Sequence, residues 1–193
     1  MSDKSNKVYL IERAFPEDDR DVTRLLIRYN PTQGVSMFDV FRGMPLTRKY
    51  FQNFDVKVDM QGDLYDCLPG NLSWLFVSPR TIQLLEKLGA TGWKTYDLKL
   101  GELNSTLKDY KLLYSEVCLN QLNLEESHVD WNDDKSLVVD LRKIVLLREF
   151  MIPVDIFAVK GMPYFLFASQ RVGDALIAAK ISGLGFTEIE VMG

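Results

Sequence analysis

Residues 167–189 read FASQRVGDALIAAKISGLGFTEI, and residues 76–98, far upstream, read FVSPRTIQLLEKLGATGWKTYDL. In one register Phe76 falls on Phe167, Ser78 on Ser169, Arg80 on Arg171, Leu85 on Leu176 and Gly92 on Gly183, and Asp97-Leu98 falls on Glu188-Ile189. Each shared residue has a local physical role. The Phe belongs to a short buried strand, and the Ser suits a helix N-cap because its oxygen can accept one of the orphan N–H groups of the first turn. Pro79 fits the first helical position, where its missing N–H costs nothing. The Leu and its neighbours at three- and four-residue spacing form the core face of the helix, and a Gly stops it, Gly89 in the first unit and Gly183 in the second. The stretch therefore predicts two similar strand–helix–strand units, at about 75–98 and 166–189. Arg80 and Arg171 are the shared positions that this local account leaves underexplained.

Outward from these units, most of the chain has strand character. Phe54–Met60, FDVKVDM, alternates at Phe54, Val56 and Val58 as a half-buried strand does. Val8–Ile11 is a short β-like run, and Val22–Tyr29 suits a strand or a helix. Tyr110–Cys118 and Ser136–Leu141 read as strands, and Asp155–Ala168 reads as a hairpin turning at Lys160-Gly161-Met162. Val35–Phe41 carries apolar residues at mixed spacing between breakers at Asn30-Pro31 and Gly43-Met44-Pro45. The second helix is expected to run from a Ser169 cap to Ser182-Gly183. Strands mixed with a few helices make an α+β domain with a mixed or antiparallel sheet. With no linker or low-complexity tract, residues 1–193 read as one domain, of which about 1–60 form an N-terminal part of uncertain role.

Bulk properties exclude several classes of function. The chain has 193 residues, is 47% hydrophobic and 26% charged, and carries a formal net charge of −4. Phosphate neutralisation needs clustered Lys and Arg, so nucleic acid is not the expected partner. No apolar run reaches the ~20 residues of a membrane span, and Met1–Phe15 has no signal-peptide core, so the expected compartment is the cytoplasm. Cys67 and Cys118 lack metal-site spacing and are expected to be reduced, buried filler. Asn71-Leu72-Ser73 and Asn104-Ser105-Thr106 match the glycosylation sequon, which has no consequence without secretion.

Motifs for chemistry are few. Ser78-x-Arg80 and Ser169-x-Arg171 place a cation beside a helix N-terminus, an arrangement that attracts anions. The glycines of a phosphate-wrapping loop are missing, so the simpler reading is a Ser cap with an Arg paired to an acid. The single histidine, His128, lies in Glu125–Asp134, EESHVDWNDD. Glu126, His128 and Asp130 are one conceivable metal or acid–base group, but the stretch reads as a solvated acidic loop, and one imidazole makes a poor zinc site. Any nucleophilic triad would depend on His128, there is no GxSxG elbow, and nothing selects a pair of carboxylates for hydrolysis. Neither a catalytic residue nor a cofactor or metal site is expected. Tyr164, Phe165 and Phe167 lack the basic interleaving of a base-stacking surface and read as sheet core.

Several segments together resemble a known family. They are Leu64-Tyr65-Asp66-Cys67-Leu68, the Ser-x-Arg helix of 76–88, Tyr110–Cys118, Val138-Val139-Asp140, the aromatic hairpin, and a second Ser-x-Arg helix ending in Ser182–Phe186. This pattern, from about Leu64 to the C-terminus, resembles the immunity-protein domains of bacterial polymorphic toxin systems, in particular the myxobacterial-type immunity domain. The resemblance implies stoichiometric binding and neutralisation of a cognate toxin, without catalytic residues. An acidic, aromatic-bearing stretch then suits a toxin-binding surface, with Asp130, Trp131, Asp133 and Asp134 as its expected residues. A second reading is a small-ligand or anion-binding regulatory module using Ser78, Arg80, Ser169 and Arg171. A hydrolase of unfamiliar type is a third.

Overall fold

The computed structural model describes residues 7–15, 22–29, 51, 54–70, 74–97, 107–133, 135, 137–148 and 153–193. The expectations for 30–45, the two sequons and Asp134 lie outside the described residues. What is described is mostly strand, with two helices, and its sheets are mixed and antiparallel.

One sheet has four strands in the order β4 (Cys67–Leu68), β5 (Leu75–Val77), β7 (Lys111–Tyr114), β6 (Lys94–Asp97), all antiparallel. The other has six: β11 (Val145–Leu147), β14 (Leu184–Met192), β1 (Val8–Arg13), β13 (Met162–Ser169), β12 (Ile156–Val159) and β8 (Cys118–Leu119). Its outermost pairs, β11 with β14 and β12 with β8, are parallel, and the inner pairs are antiparallel. Two separate ribbons complete the strands, β2 (Arg24–Tyr29) with β3 (Phe54–Met60) and β9 (His128–Trp131) with β10 (Val138–Lys143). The helices are α1 (Pro79–Lys87), between β5 and β6, and α2 (Gln170–Ala178), between β13 and β14.

Alternation along the strands sorts side chains into three cores. Leu75 and Val77 on β5, with Leu166 and Ala168 on β13, face a central core shared by both sheets. Leu85 from α1 and Val172 and Leu176 from α2 complete it. Phe76 points the other way, into a core closed by Leu25 and Ile27 of β2 and by Phe54 and Val56 of β3. Phe167 likewise points away from the centre, stacks on Phe157 at 5.7 Å between ring centroids, and lies in a third core with Val138 of β10. Fully burying one such side chain contributes about 1.5–3 kcal/mol, so truncating Phe76 or Phe167 to Ala costs about 3–5 kcal/mol once the cavity is included.

The helix starts follow their local chemistry, with one correction. Ser78 is extended at the N-cap of α1, accepts from the Thr81 amide at 3.3 Å, and is followed by Pro79. Ser169 also stands at the N-cap of α2, but its hydroxyl makes no cap bond and turns instead to a carboxylate. The second helix also ends earlier than Ser182-Gly183, at a C-cap on Ala179, with Lys180 in the left-handed region at φ 51°. Tyr110–Cys118 is not one strand: buried Ser115 breaks it, its hydroxyl lying within hydrogen-bond distance of the Gly92, Val117 and Ile156 carbonyls. The acidic stretch holds the largest difference, since His128–Trp131 is a strand rather than loop. Val129 and Trp131 pack on the third core while His128 and Asp130 face outward, a four-residue alternation hidden by the surrounding charge.

Candidate functional site

The helices α1 and α2 touch, and the Ser-x-Arg start of each is built around a carboxylate. Asp66, just before β4, accepts from Ser78 Oγ at 2.8 Å and from Arg80 Nη1 at 2.7 Å. It also accepts from the Ser182 amide and hydroxyl, each at 3.1 Å. Asp155, just before β12, accepts from Ser169 Oγ at 2.8 Å and from Arg171 Nη2 at 2.6 Å. The Thr91 amide at 2.9 Å and hydroxyl at 3.2 Å complete its partners. Desolvation alone would raise the Asp155 pKa, but donation from Arg171, Ser169 and Thr91 outweighs it and holds the carboxyl below its ordinary value.

Each arginine then reaches to the far end of the other helix. Arg80 Nη2 donates to the Ala179 carbonyl, the C-cap of α2, at 2.5 Å. Arg171 Nη1 donates to the Leu88 carbonyl, the C-cap of α1, at 2.6 Å. A cation at a helix C-terminus satisfies an orphan carbonyl and complements the negative end of the helix dipole. Both guanidinium groups thus have their charge matched by a carboxylate and a second donor spent on a helix end. The residues that organise this arrangement, Asp66 and Asp155, were not singled out from the sequence. Their signal is an Asp directly before an apolar pair (Cys67-Leu68, Ile156-Phe157), 12 and 14 residues ahead of the Ser.

The acidic stretch forms a separate surface. Asn123 Oδ1 accepts from the Glu125 and Glu126 amides, turning the chain into β9. Asp130 is exposed on β9 and pairs with Arg142 of β10 at 2.9 Å, and Arg142 also meets Asp140 at 3.2 Å. The hydrogen bond that Arg142 donates to Asp140 first, then the Asp130 charge, raises the pKa of Arg142. Trp131 is half-buried, its ring lying over Gly161, where an added Cβ would come within 2.5 Å of it. Asp133 is exposed in the turn between the strands. The structure therefore brings Asp130, Trp131 and Asp133 onto one ribbon, with Asp140, Arg142 and the exposed Val139 beside them. Among the described residues no three His, Cys, Asp or Glu side chains are grouped as they would be around a metal ion. Both cysteines are free thiols; burial pushes Cys67 up to about 12 and raises Cys118. Among the described residues no helix is long and apolar enough to cross a membrane.

These features define an α+β fold whose two helices are cross-tied by arginine-to-carbonyl hydrogen bonds and whose charged β9–β10 ribbon packs on the third core. The sequence matches the model of the immunity protein family (Imm11) over residues 9–191, and the chain belongs to that family. The match starts well upstream of Leu64, so β2, β3 and all of β1 except Val8 fall within it. No curated protein matches the chain.

Proposed function

We propose that this chain is a cytoplasmic immunity protein that binds a cognate toxin and neutralises it stoichiometrically by covering the toxin's working surface. Membership of the Imm11 family is the observation that carries this reading. An occluding inhibitor acts through surface shape and charge, and it needs no catalytic residue of its own.

The toxin-contacting surface we propose is the β9–β10 ribbon, through Asp130, Trp131 and Asp133, together with Asp134, the next residue in the sequence. Support comes from exposed carboxylates beside an exposed Val139 and a half-buried Trp131, a composition that gives an apolar anchor within a charged rim. Because Trp131 also packs on Gly161, its truncation tests fold and binding together, whereas Asp133 tests binding alone.

We further propose that 75–98 and 166–189 are two copies of one structural unit serving as scaffold. The strand registers support this. Leu112 of β7 faces Phe76 on one side and Tyr96 on the other, as Leu10 of β1 faces Phe167 and Thr187. The anion-binding reading of Ser78, Arg80, Ser169 and Arg171 loses support, because both arginines already hold a carboxylate and a helix-end carbonyl.

The test is co-expression with the toxin domain encoded next to this gene, followed by size-exclusion chromatography and growth measurement. A 1:1 complex and rescue of growth are expected. A growth defect that persists at excess of this chain, with no complex, rejects the immunity reading. An Asp133→Ala, Asp130→Ala variant that binds like wild type rejects only the proposed surface.

A further inference from the structure

A cleft of about 400 Å³ opens where the end of β1 meets the edge of the four-stranded sheet. Its lining is mixed: among the described residues Ile11, Phe15, Pro69, Leu75 and Phe165 supply the apolar part, and Glu12 and Arg13 the charged part. Arg13 lies on the same face of β1 as Ile11, which belongs to the central core. Its side chain is half-buried and makes one hydrogen bond, from Nη1 to the Gly70 carbonyl. Among the described residues no carboxylate pairs with it: the Glu12 carboxylate accepts from Thr187 Oγ1 at 2.8 Å instead. Arg13 thus differs from Arg80 and Arg171, each of which holds an aspartate at 2.7 or 2.6 Å.

We infer that this cleft is a binding site for a small amphipathic carboxylate, its anionic group taken by the free face of the Arg13 guanidinium and its apolar body held between Phe15, Phe165, Leu75 and Pro69. A guanidinium withdrawn from water without a carboxylate is costly, and an anion arriving with apolar cover recovers that cost through a charge-assisted, two-pronged contact. The volume lies in the range of small-ligand clefts, which are mostly apolar walls with a few fixed polar groups. An apolar ligand without charge would leave Arg13 unmatched, and a bare anion would leave the aromatic walls wet. The site is separate from the β9–β10 ribbon and does not depend on what the ribbon binds.

The full-length protein is titrated with 3-phenylpropionate, with its neutral counterpart 3-phenylpropan-1-ol, and with inorganic phosphate, followed by backbone amide NMR. Saturable shifts at 11–15, 69–70, 75 and 165 are expected with 3-phenylpropionate, with the alcohol and phosphate each weaker by about tenfold or more. Arg13→Gln, which keeps an amide donor for the Gly70 carbonyl, is expected to abolish the carboxylate preference, and Arg13→Lys to retain part of it. Unchanged amide dispersion and melting temperature in Arg13→Gln show that the fold is intact, and Arg13→Lys gives the same comparison if it is not. Equal binding of acid and alcohol, equal binding of phosphate, or no saturable response overturns the proposal. So does a toxin complex that depends on Arg13 in a protein that ignores 3-phenylpropionate, since the carboxylate would then belong to a polypeptide.

Discussion

Seen side by side, the β5–α1–β6 and β13–α2–β14 stretches agree at long range and disagree locally. Both have an N-cap Ser donating to an Asp, an Arg tied to that Asp, and the same Arg tied to the end of the other helix. Both have a glycine at positive φ, Gly92 at 85° and Gly183 at 78°, packed against a backbone carbonyl of the strand that follows the other stretch's Asp. The local details differ. Ser78 caps its helix and Ser169 does not; Gly89 follows one helix at φ 59°, whereas Lys180 takes the equivalent left-handed position after the other. The middle strand comes from downstream in one sheet, β7, and from the start of the chain in the other, β1. The outer faces are covered by different ribbons, β2–β3 and β9–β10. What recurs is what ties the halves together. What varies is what each half presents to its surroundings, which is where a partner-specific protein would differ from its relatives.

The largest effect that tests this comparison is expected at the two glycines. A Cβ at Gly92 would stand 2.2 Å from the Ile156 carbonyl oxygen, and one at Gly183 2.3 Å from that of Cys67. Gly92→Ala and Gly183→Ala should each cost about 2–4 kcal/mol in urea unfolding, from left-handed strain plus a clash with backbone that cannot yield. Tolerance at one site alone would break the equivalence.

Next are the aspartates. Asp66→Ala and Asp155→Ala should each cost about 2–3 kcal/mol, because an Arg, a hydroxyl and an amide lose their acceptor at a carboxylate that is itself mostly buried. Asp155 adds a pH signature. Its folded pKa is depressed, so its stabilisation is complete above the ordinary carboxylate pKa and is lost as pH falls through the folded value. The stability gap between wild type and Asp155→Asn should stay flat from neutral pH to about 4 and narrow below it. A gap that narrows between pH 5 and 7 would contradict the assignment.

Smaller losses are expected at the arginines, whose side chains are more than half exposed. Arg80→Met and Arg171→Met should each cost about 0.5–1.5 kcal/mol, nearly additively, since they use separate carboxylates. The finest distinction lies at the caps. Ser78→Ala should cost about 0.5 kcal/mol more than Ser169→Ala, because only Ser78 also accepts from its helix. Equal losses in thermal melts would mean the cap bond contributes nothing.

Much of the framework could be read from local residue patterns. FDVKVDM is β3 to the residue, and Ser78-Pro79 starts α1 as cap and first-turn chemistry require. Reading failed where a long-range partner overrode a local preference. Ser169 has the residue type of a cap, but an aspartate 14 residues upstream takes its hydroxyl. Lys180 takes a backbone conformation usually left to glycine, so α2 ends before the Ser182-Gly183 stop that residue types suggest. His128–Trp131 looked like loop because the half of the strand facing solvent is charged, while Val129 and Trp131 find their core only through β10 and β12.

The candidate surfaces divide in the same way. The acidic ribbon was visible as composition, but which of its side chains face outward depends on pairing with β10. Arg13 carried no local signal, because a cation in a strand is unremarkable until the described structure gives it a cleft and no carboxylate. Periodicity, caps and turn glycines depend on neighbours within about four residues, so the chain order alone set β3, the start of α1 and the repeated Ser-x-Arg motif. The exchange of arginines between helix ends joins residues 83 and 99 apart in sequence, and only folding brings them together. The same holds for the choice of β1 or β7 as middle strand and for the absence of a carboxylate partner for Arg13 among the described residues, because charge matching and sheet pairing act through space.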